Sequence, residues 1–127
     1  MTQELTRILY VEDDPDIQAI AMMVLETISG FTLKACSCGS EALESAVNFN
    51  PDLVLLDVMM PGMDGPETLK GLRTFPELAK TPVVFMTAKV QPQEVEGYLN
   101  LGAVGVIAKP FDPMTLAQQL RDIWAKQ

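Results

Sequence analysis

Hydrophobic residues gather in five short runs along the chain, separated by more polar stretches. The runs cover positions 8–11, 31–36, 53–56, 83–86 and 104–108, and their length and composition predict five β-strands. Two of them, LVLL at 53–56 and VVFM at 83–86, are continuous, which is typical of strands buried on both faces of a sheet. The run at 31–36 alternates along its length, so we expect it to form an edge strand.

The segments between the strands carry the period of an α-helix. In the first of them, apolar residues recur at intervals of three and four positions: Ile17, Ile20, Ala21, Val24, Leu25 and Ile28. Asp14 is placed to cap this helix, Pro15 suits its first turn, and Gly30 follows its end. Asp112 and Pro113 predict the same kind of start for the last helix. The apolar side of that helix comprises Leu116, Leu120, Ile123 and Trp124.

Strands that alternate with helices predict a parallel sheet covered on both faces, because each parallel connection needs a crossover helix. The fold class is therefore α/β. We expect a doubly wound, three-layer sandwich with five parallel strands in the flavodoxin-like order 2-1-3-4-5. A chain of 127 residues without an internal repeat or a Ser/Gly-rich linker fits one domain. We expect that domain to span residues 1–127, with no output domain.

The overall charge and hydropathy exclude several classes of function. Seventeen acidic residues against nine basic ones give a net charge of -8 with no basic block, which argues against direct nucleic-acid binding. No apolar run approaches the roughly 20 residues that span a bilayer. Residues 1–6 are polar and lack the pattern of a secretory signal. We therefore expect a cytoplasmic protein that has no membrane partner.

Histidine and cysteine usage narrows the chemistry further. The chain contains no histidine, which excludes hydrolase mechanisms built on a Ser-His or Cys-His pair. Cys36 and Cys38 are two positions apart, which is neither the usual redox spacing nor a convincing half of a zinc site. We expect both cysteines to be small packing residues.

Chemically active side chains follow four of the predicted strands: Glu12 and Asp13, then Asp57, Thr87 and Lys109. The carboxyl ends of parallel strands form one rim, where open α/β sheets bind their ligands. With the first and third strands as neighbours, Asp13 would lie near Asp57. Two carboxylates about 4 Å apart repel by roughly 4 kcal/mol at an effective dielectric constant of about 20, so this rim favours a proton or a cation. Oxygen ligands favour Mg²⁺, Mn²⁺ or Ca²⁺ over zinc, and a few carboxylates favour Mg²⁺ shared with a phosphate.

Each of these residues also has an ordinary structural interpretation. Asp13 and Asp14 could simply begin a helix, and Asp57 could end a strand before the turn-forming sequence MMPGMDG. Thr87 alone would be a strand terminus, and Lys109 alone a solvated charge. Their occurrence together, at the ends of four strands, favours a common site.

Four stretches in order, ILYVEDDPDI, DLVLLDVMMPGMDG, TPVVFMTAK and LGAVGVIAKPF, give the chain a family resemblance. Over nearly its whole length it resembles the response-regulator receiver family, which has the CheY-like fold. The resemblance implies that a histidine kinase or histidine phosphotransfer protein phosphorylates the chain in a Mg²⁺-dependent reaction, for which Mn²⁺ can substitute. It implies a switch in two-component signalling that catalyses its own phosphorylation and dephosphorylation, and no enzyme with an independent substrate.

The resemblance also assigns roles to individual residues. Asp57 is the phosphoacceptor, and Thr87 and Lys109 contact the phosphoryl oxygens. The implied metal site consists of the acidic pair Glu12 and Asp13, together with Asp57 and the backbone carbonyl of Met59. One position departs from the family pattern, because Val106 stands where receivers commonly have Tyr or Phe. The face formed by helix 4, strand 5 and helix 5 would bind an unidentified downstream protein, or a second copy in a transient homodimer. How phosphorylation of Asp57 would change this face is therefore left open.

Three other interpretations compete with the switch. A receiver-shaped interaction module would bind partners without transferring phosphate. A flavin-binding carrier of the same topology would need a Gly-, Ser- or Thr-rich phosphate cradle, where this chain is acidic. A Mg²⁺-dependent hydrolase that uses Asp57 would need a second acid just beyond it, at the positions of Val58 and Met59.

Overall fold

A computed structural model describes residues 3–127, and Met1 and Thr2 of the polar N-terminal stretch lie outside the described residues. The strands are β1 (Arg7–Val11), β2 (Thr32–Cys36), β3 (Leu53–Asp57), β4 (Val83–Thr87) and β5 (Gly105–Ala108). The helices are α1 (Pro15–Met22), α2 (Gly39–Phe49), α3 (Gly65–Leu72), α4 (Pro92–Asn100) and α5 (Leu116–Ala125). A π-helical segment (Met23–Ile28) continues α1, and a short 3₁₀ turn (Pro76–Leu78) precedes β4.

The five strands form one parallel sheet in the order β2-β1-β3-β4-β5. The predicted fold class, the strand order and the edge position of β2 are therefore confirmed. The register places Val11 opposite Leu56 and Asp57 opposite Met86. The carboxyl ends of β1, β3 and β4 consequently lie nearly level, and residues that follow these strands share one rim.

Two hydrophobic cores lie on opposite faces of the sheet. Helices α2 and α3 cover one face, and α1 and α5 cover the other. Every residue of β3 and β4 is buried, as the continuous apolar runs predict. Helix α4 is held more loosely, because none of its residues is buried. Its Tyr98 ring packs edge to face with the Phe85 ring, at a centroid distance of 5.5 Å and an interplanar angle of 65°.

The start of α1 confirms the predicted capping. The side chain of Asp14 accepts hydrogen bonds from the backbone N–H groups of Asp16 and Ile17, at 2.9 and 3.3 Å. Pro15 occupies the first turn, where a missing N–H costs little. Asp14 is thus the N-cap residue of α1, the helix that follows β1.

The predicted apolar face of the first helix is only partly correct. Val24 and Leu25 are buried, but Ile20 and Ile28 are 48% and 71% exposed. From Met23 onward the helix is wound as a π-helix, which has more residues per turn and rotates Ile28 away from the sheet. A pattern based on 3.6 residues per turn cannot anticipate this change.

The last helix begins later than predicted, at Leu116 rather than at Pro113. The side chain of Asp112 accepts a hydrogen bond from Met114 N at 2.8 Å, and its carbonyl accepts one from Thr115 N at 3.1 Å. Asp112 therefore stabilises a turn ahead of the helix.

Two expectations about side-chain packing had different outcomes. Trp124 packs against the core on the α1 and α5 face and donates a hydrogen bond from its indole to the Gln3 carbonyl at 2.7 Å, as expected for a packing residue. Cys36 is buried, but Cys38 is exposed at the start of α2, so its predicted packing role is wrong.

None of the helices within residues 3–127 combines the length and the apolar character needed to cross a bilayer.

Gly65 allows α3 to begin directly against the end of β3. A β-carbon at this position would lie 2.6 Å from the carbonyl oxygen of Asp57 and 2.8 Å from the α-carbon of Val58. Both neighbours are backbone atoms, which cannot rotate away. Glycine is therefore needed here for the close approach of two backbones.

We predict opposite effects of alanine at two glycines. Gly65→Ala should destabilise the protein by about 1–3 kcal/mol because its methyl group overlaps the backbone at Asp57. Gly97→Ala, inside α4, should stabilise it by about 0.5–1 kcal/mol, because a β-carbon there has no neighbour within 4 Å. Urea unfolding measures both values. Equal effects of the two substitutions would contradict the close approach at Gly65.

Candidate functional site

The chain beyond β1 is held against β2 and carries Glu12 into the interior. The backbone N–H of Glu12 donates to the Cys36 carbonyl at 3.0 Å, and the side chain of Glu12 is buried. Its Oε2 accepts a hydrogen bond from Asp14 N at 3.2 Å. The side-chain amide of Gln18 donates to the carbonyls of Glu12 and Cys36, both at 3.2 Å. Sequence reasoning missed Gln18, since no pattern distinguishes it from other polar residues of α1.

The loop after β3 is anchored on both sides of its start. Asp57, the last residue of β3, is 2% exposed. The backbone N–H of Val58 donates to the Met86 carbonyl of β4 at 3.1 Å, and the Val58 carbonyl accepts a hydrogen bond from Gly65 N at 2.9 Å. Met60 is buried in the core, whereas the side chain of Met59 is 64% exposed. The loop thus fixes Asp57 and leaves Met59 at the surface beside it.

Lys109 joins the ends of β5, β1 and β3. Its backbone N–H donates to the Thr87 carbonyl at 2.9 Å, and the Lys109–Pro110 peptide bond is cis. Its Nζ lies 3.0 Å from Glu12 Oε1 and 3.3 Å from Asp57 Oδ1. These are the two salt bridges within the described residues. One ammonium group therefore bridges two buried carboxylates.

The carboxylates of Glu12, Asp13 and Asp57 converge, with one oxygen of each lying within 4.8 Å of the others. The predicted proximity of Asp13 and Asp57 is confirmed. Glu12 and Asp57 are buried, whereas Asp13 is exposed and opens the cluster to solvent. Three carboxylates face a single ammonium group, and all the donors are oxygens. This donor set fits a hard divalent cation such as Mg²⁺.

The environment of Asp57 disfavours its charged form. Its pKa is raised from 3.8 to about 7, mainly by burial and then by the charge of Glu12, while the charge of Lys109 opposes the rise. Burial also opposes the charged form of Lys109, but its hydrogen bond to Glu12 and the charge of Asp57 raise its pKa overall. Lys109 therefore stays protonated, while Asp57 gains its charge near neutral pH.

Thr87 lies at the same rim, at the end of β4. Its side chain is buried, and its Oγ1 accepts a hydrogen bond from Lys89 N at 3.1 Å. Ala88 and Lys89, which follow it, are exposed. Val106, at the position where an aromatic residue was expected from the family pattern, is half-buried on β5 opposite Phe85. The hydroxyl group of Thr87 is thus held by its own loop.

Residues 8–121 match the family model for the response regulator receiver domain. The chain belongs to the response regulator receiver family. The match includes all five strands apart from the first residue of β1, and every residue of the site described above. Receiver domains are the part of response regulators that takes part in two-component signalling.

Known relatives agree with this assignment. The chain is 38% identical over 115 residues to the DNA-binding response regulator MtrA of Mycolicibacterium smegmatis, covering 91% of this chain and 49% of that protein. It is 36% identical over 118 residues to the probable transcriptional regulator ycf29 of Porphyra purpurea, covering 91% of this chain and 55% of that protein. The chain therefore spans about half the length of these relatives.

Solved receiver structures share the fold over almost the whole chain. Chemotaxis protein CheY4 of Vibrio cholerae superposes with a TM-score of 0.86 at 29% identity, covering 94% of this chain and 98% of that one. The signal receiver domain of a histidine kinase from Syntrophus aciditrophicus gives a TM-score of 0.80 at 31% identity, with 95% and 91% coverage. The parallel sheet and its rim are thus those of a receiver.

We predict that Asp57→Asn stabilises the metal-free protein, and that the gain depends on pH. The pKa of Asp57 is about 7 in the folded protein, above the ordinary 3.8. The ionised form of Asp57 therefore lowers the free energy of unfolding, whereas the protonated form does not. The stability of the wild type should therefore fall relative to Asp57→Asn as the pH rises from about 4 to 7, by up to about 1.4 kcal/mol per pH unit, and then level off.

Urea unfolding in the presence of a chelator, at several pH values between 5 and 8, measures this difference. Saturating Mg²⁺ supplies the internal control, because it should stabilise the wild type more than the variant at pH 8. A difference between the two proteins that does not change with pH would contradict the raised pKa of Asp57.

Proposed function

We propose that Asp57 accepts a phosphoryl group from a histidine kinase or a histidine phosphotransfer protein in a Mg²⁺-dependent reaction. The single observation that carries this proposal is the placement of Asp57. Its carboxylate is buried at the rim of the sheet, 3.3 Å from the ammonium of Lys109 and beside two further acids. This surrounding supplies both the cation site and the positive charge that phosphoryl transfer needs.

Glu12, Asp13, Asp57 and the backbone carbonyl of Met59 would hold the metal. When bound, Mg²⁺ offsets the mutual repulsion of the carboxylates and the negative charge of the transferring group. The convergence of three carboxylate oxygens supports this assignment for the three acids. Met59 is included because its carbonyl belongs to the exposed loop that directly follows Asp57.

In the proposed transfer, a carboxylate oxygen of Asp57 attacks the phosphorus of the donor's phosphohistidine. A phosphorus–oxygen bond forms, the phosphorus–nitrogen bond breaks, and the imidazole leaves with its electron pair. Lys109 Nζ moves from the carboxylates to neutralise a phosphoryl oxygen, and the Thr87 hydroxyl donates to another. Attack of water on the same phosphorus later breaks its bond to the Asp57 oxygen, which restores the carboxylate and releases inorganic phosphate. The chain thus catalyses its own modification and turns over no independent substrate.

The surface beside Lys109 supports a protein as the donor. Ile17, exposed Ile20, Phe111 and Pro113 line a pocket of about 140 Å³ next to Lys109. A small phosphate donor would make no use of such an apolar border, whereas a helical partner could bury it while presenting its phosphohistidine.

Phosphorylation would act as the switch by changing the loop after β4. The added group brings negative charge and three acceptor oxygens close to Thr87, whose hydroxyl now accepts from Lys89 N at 3.1 Å. A turn of that hydroxyl towards the phosphate would release Lys89 and the loop that leads to α4. The downstream protein, or a transient second copy, would then bind the face formed by α4, β5 and α5.

Several aspects of the whole protein stay predictions. The relative MtrA is named as DNA-binding, but about half of its length lies outside the match. The expected lack of direct nucleic-acid contact therefore concerns only residues 1–127 and rests on their net charge of -8. The assignment of these residues as one receiver domain and the cytoplasmic location likewise remain expectations. A receiver-shaped interaction module without phosphotransfer is the competing function.

We predict that acetyl phosphate with Mg²⁺ adds one phosphoryl group to the intact protein, detected by mass spectrometry. Asp57→Asn should abolish the labelling because the nucleophilic oxygen is lost. Asp14→Asn is the matched control, since asparagine caps a helix as well as aspartate and this acid lies outside the cluster. Unchanged labelling of Asp57→Asn would exclude Asp57 as the acceptor, and no labelling of a folded wild type would favour the interaction module.

We predict that Mg²⁺ stabilises the wild type through the acidic cluster. A ligand that binds only the folded state adds about 2.7 kcal/mol to stability at 100 times its dissociation constant. Asp13→Asn should lose most of this increment, whereas Asp14→Asn should keep it. Thermal unfolding with increasing Mg²⁺ measures the effect. If Asp13→Asn responds to Mg²⁺ as the wild type does, Asp13 is not a metal ligand.

A further inference from the structure

Tyr10 lies in the interior of the sheet, close to the acidic cluster. It is fully buried on β1, two residues before Glu12, and pairs with Leu55 of β3. Successive side chains alternate between the faces of a strand, so Tyr10, Leu55 and Asp57 belong to the same face. The phenol ring is long enough to extend along this face towards the rim.

The hydroxyl group of Tyr10 has no hydrogen-bond partner within the described residues. Burial raises its pKa, and the charges of Glu12 and Asp57 and a contact with Glu12 raise it further. The hydroxyl therefore faces the acids without the geometry of a formed hydrogen bond. An unpaired buried hydroxyl destabilises the folded state, and Phe or Leu would avoid that cost at this position.

The need for an additional donor arises at Glu12. This buried carboxylate accepts from Lys109 Nζ at Oε1, at 3.0 Å, and from Asp14 N at Oε2, at 3.2 Å. In the proposed phosphorylation, the ammonium of Lys109 turns to the phosphoryl oxygens. Glu12 Oε1 then loses its hydrogen-bond donor while it remains buried, and the proposed metal would offset its charge without donating a hydrogen bond.

We infer that Tyr10 is a positioning residue, whose hydroxyl donates a hydrogen bond to Glu12 when Lys109 engages the phosphoryl group. This inference rests on the proposed function of Asp57. The hydroxyl is idle in the unphosphorylated protein and replaces Lys109 as the donor in the phosphorylated one. Tyr10 thereby keeps the acidic pair in place while the lysine moves, so it acts through Glu12 without contacting the phosphoryl donor.

The test compares Tyr10→Phe with Tyr98→Phe. The chain has two tyrosines, and each substitution removes one hydroxyl and keeps the ring. Tyr98 is the matched control, because it lies on α4 against Phe85. Two measurements are made on each variant of the 127-residue chain. One is the stabilisation by Mg²⁺ with beryllofluoride, a mimic of the phosphoryl group, relative to Mg²⁺ alone. The other is the rate of labelling by acetyl phosphate at saturating Mg²⁺.

We expect Tyr10→Phe to be as stable as the wild type or more stable when unphosphorylated, since an idle hydroxyl is removed. Its Mg²⁺ affinity should stay within about twofold of the wild type. Labelling should be about tenfold slower, as expected for the loss of a hydrogen bond to a charged group, and the beryllofluoride increment should shrink. Tyr98→Phe should leave labelling unchanged.

Other outcomes would overturn the inference. A less stable unphosphorylated Tyr10→Phe with a normal beryllofluoride increment would show that the hydroxyl has a purely structural role. Normal labelling and a normal increment would show that the hydroxyl has no role. If the wild type itself takes no label and shows no beryllofluoride response, the proposed function fails, which is a result distinct from failure of the Tyr10 inference alone.

Discussion

The position of one ammonium group, Lys109 Nζ, determines the character of the site. It lies 3.0 Å from Glu12 and 3.3 Å from Asp57, two carboxylates that the sheet buries side by side. Without it, two buried negative charges would face each other with no neighbouring positive charge to offset their repulsion. With it, the cluster of three acids still carries an excess of negative charge, which is the condition for recruiting a divalent cation. The same lysine thus permits the acids to be buried and leaves them in need of a metal.

This arrangement depends on the order of the strands. Only because β1 and β5 lie on either side of the β3–β4 pair do Glu12 and Lys109, 97 positions apart, meet at Asp57. The burial of β3 at every position removes Asp57 from solvent and raises its pKa, and Gly65 lets α3 close the strand end without displacing it. The stability of the sheet and the reactivity of the acid therefore have a common cause.

Sequence reasoning predicted the parts of this structure that follow from periodicity and from the geometry of parallel sheets. The five strands, their order and the meeting of Asp13 with Asp57 depend on apolar runs and on strand ends, which are readable in the sequence. The exposed Ile28 was not predictable, because it results from a local change of helix winding. Gln18 and Tyr10 were missed for a different reason. Their importance arises from the backbone carbonyls and the carboxylate that the fold brings to them, and no local pattern records those neighbours.

The loose attachment of α4 bears on how a receiver without the usual aromatic residue could transmit its state. Val106 offers only a small side chain on the face shared by Phe85 and Thr87, so its rotation can move little. The aromatic contact between that face and α4 is instead the edge-to-face pair of Phe85 and Tyr98. Because α4 buries no residue, it can shift against the sheet at a small cost in free energy. A rearrangement at Thr87, two residues beyond Phe85, would therefore act on the helix that resists displacement least.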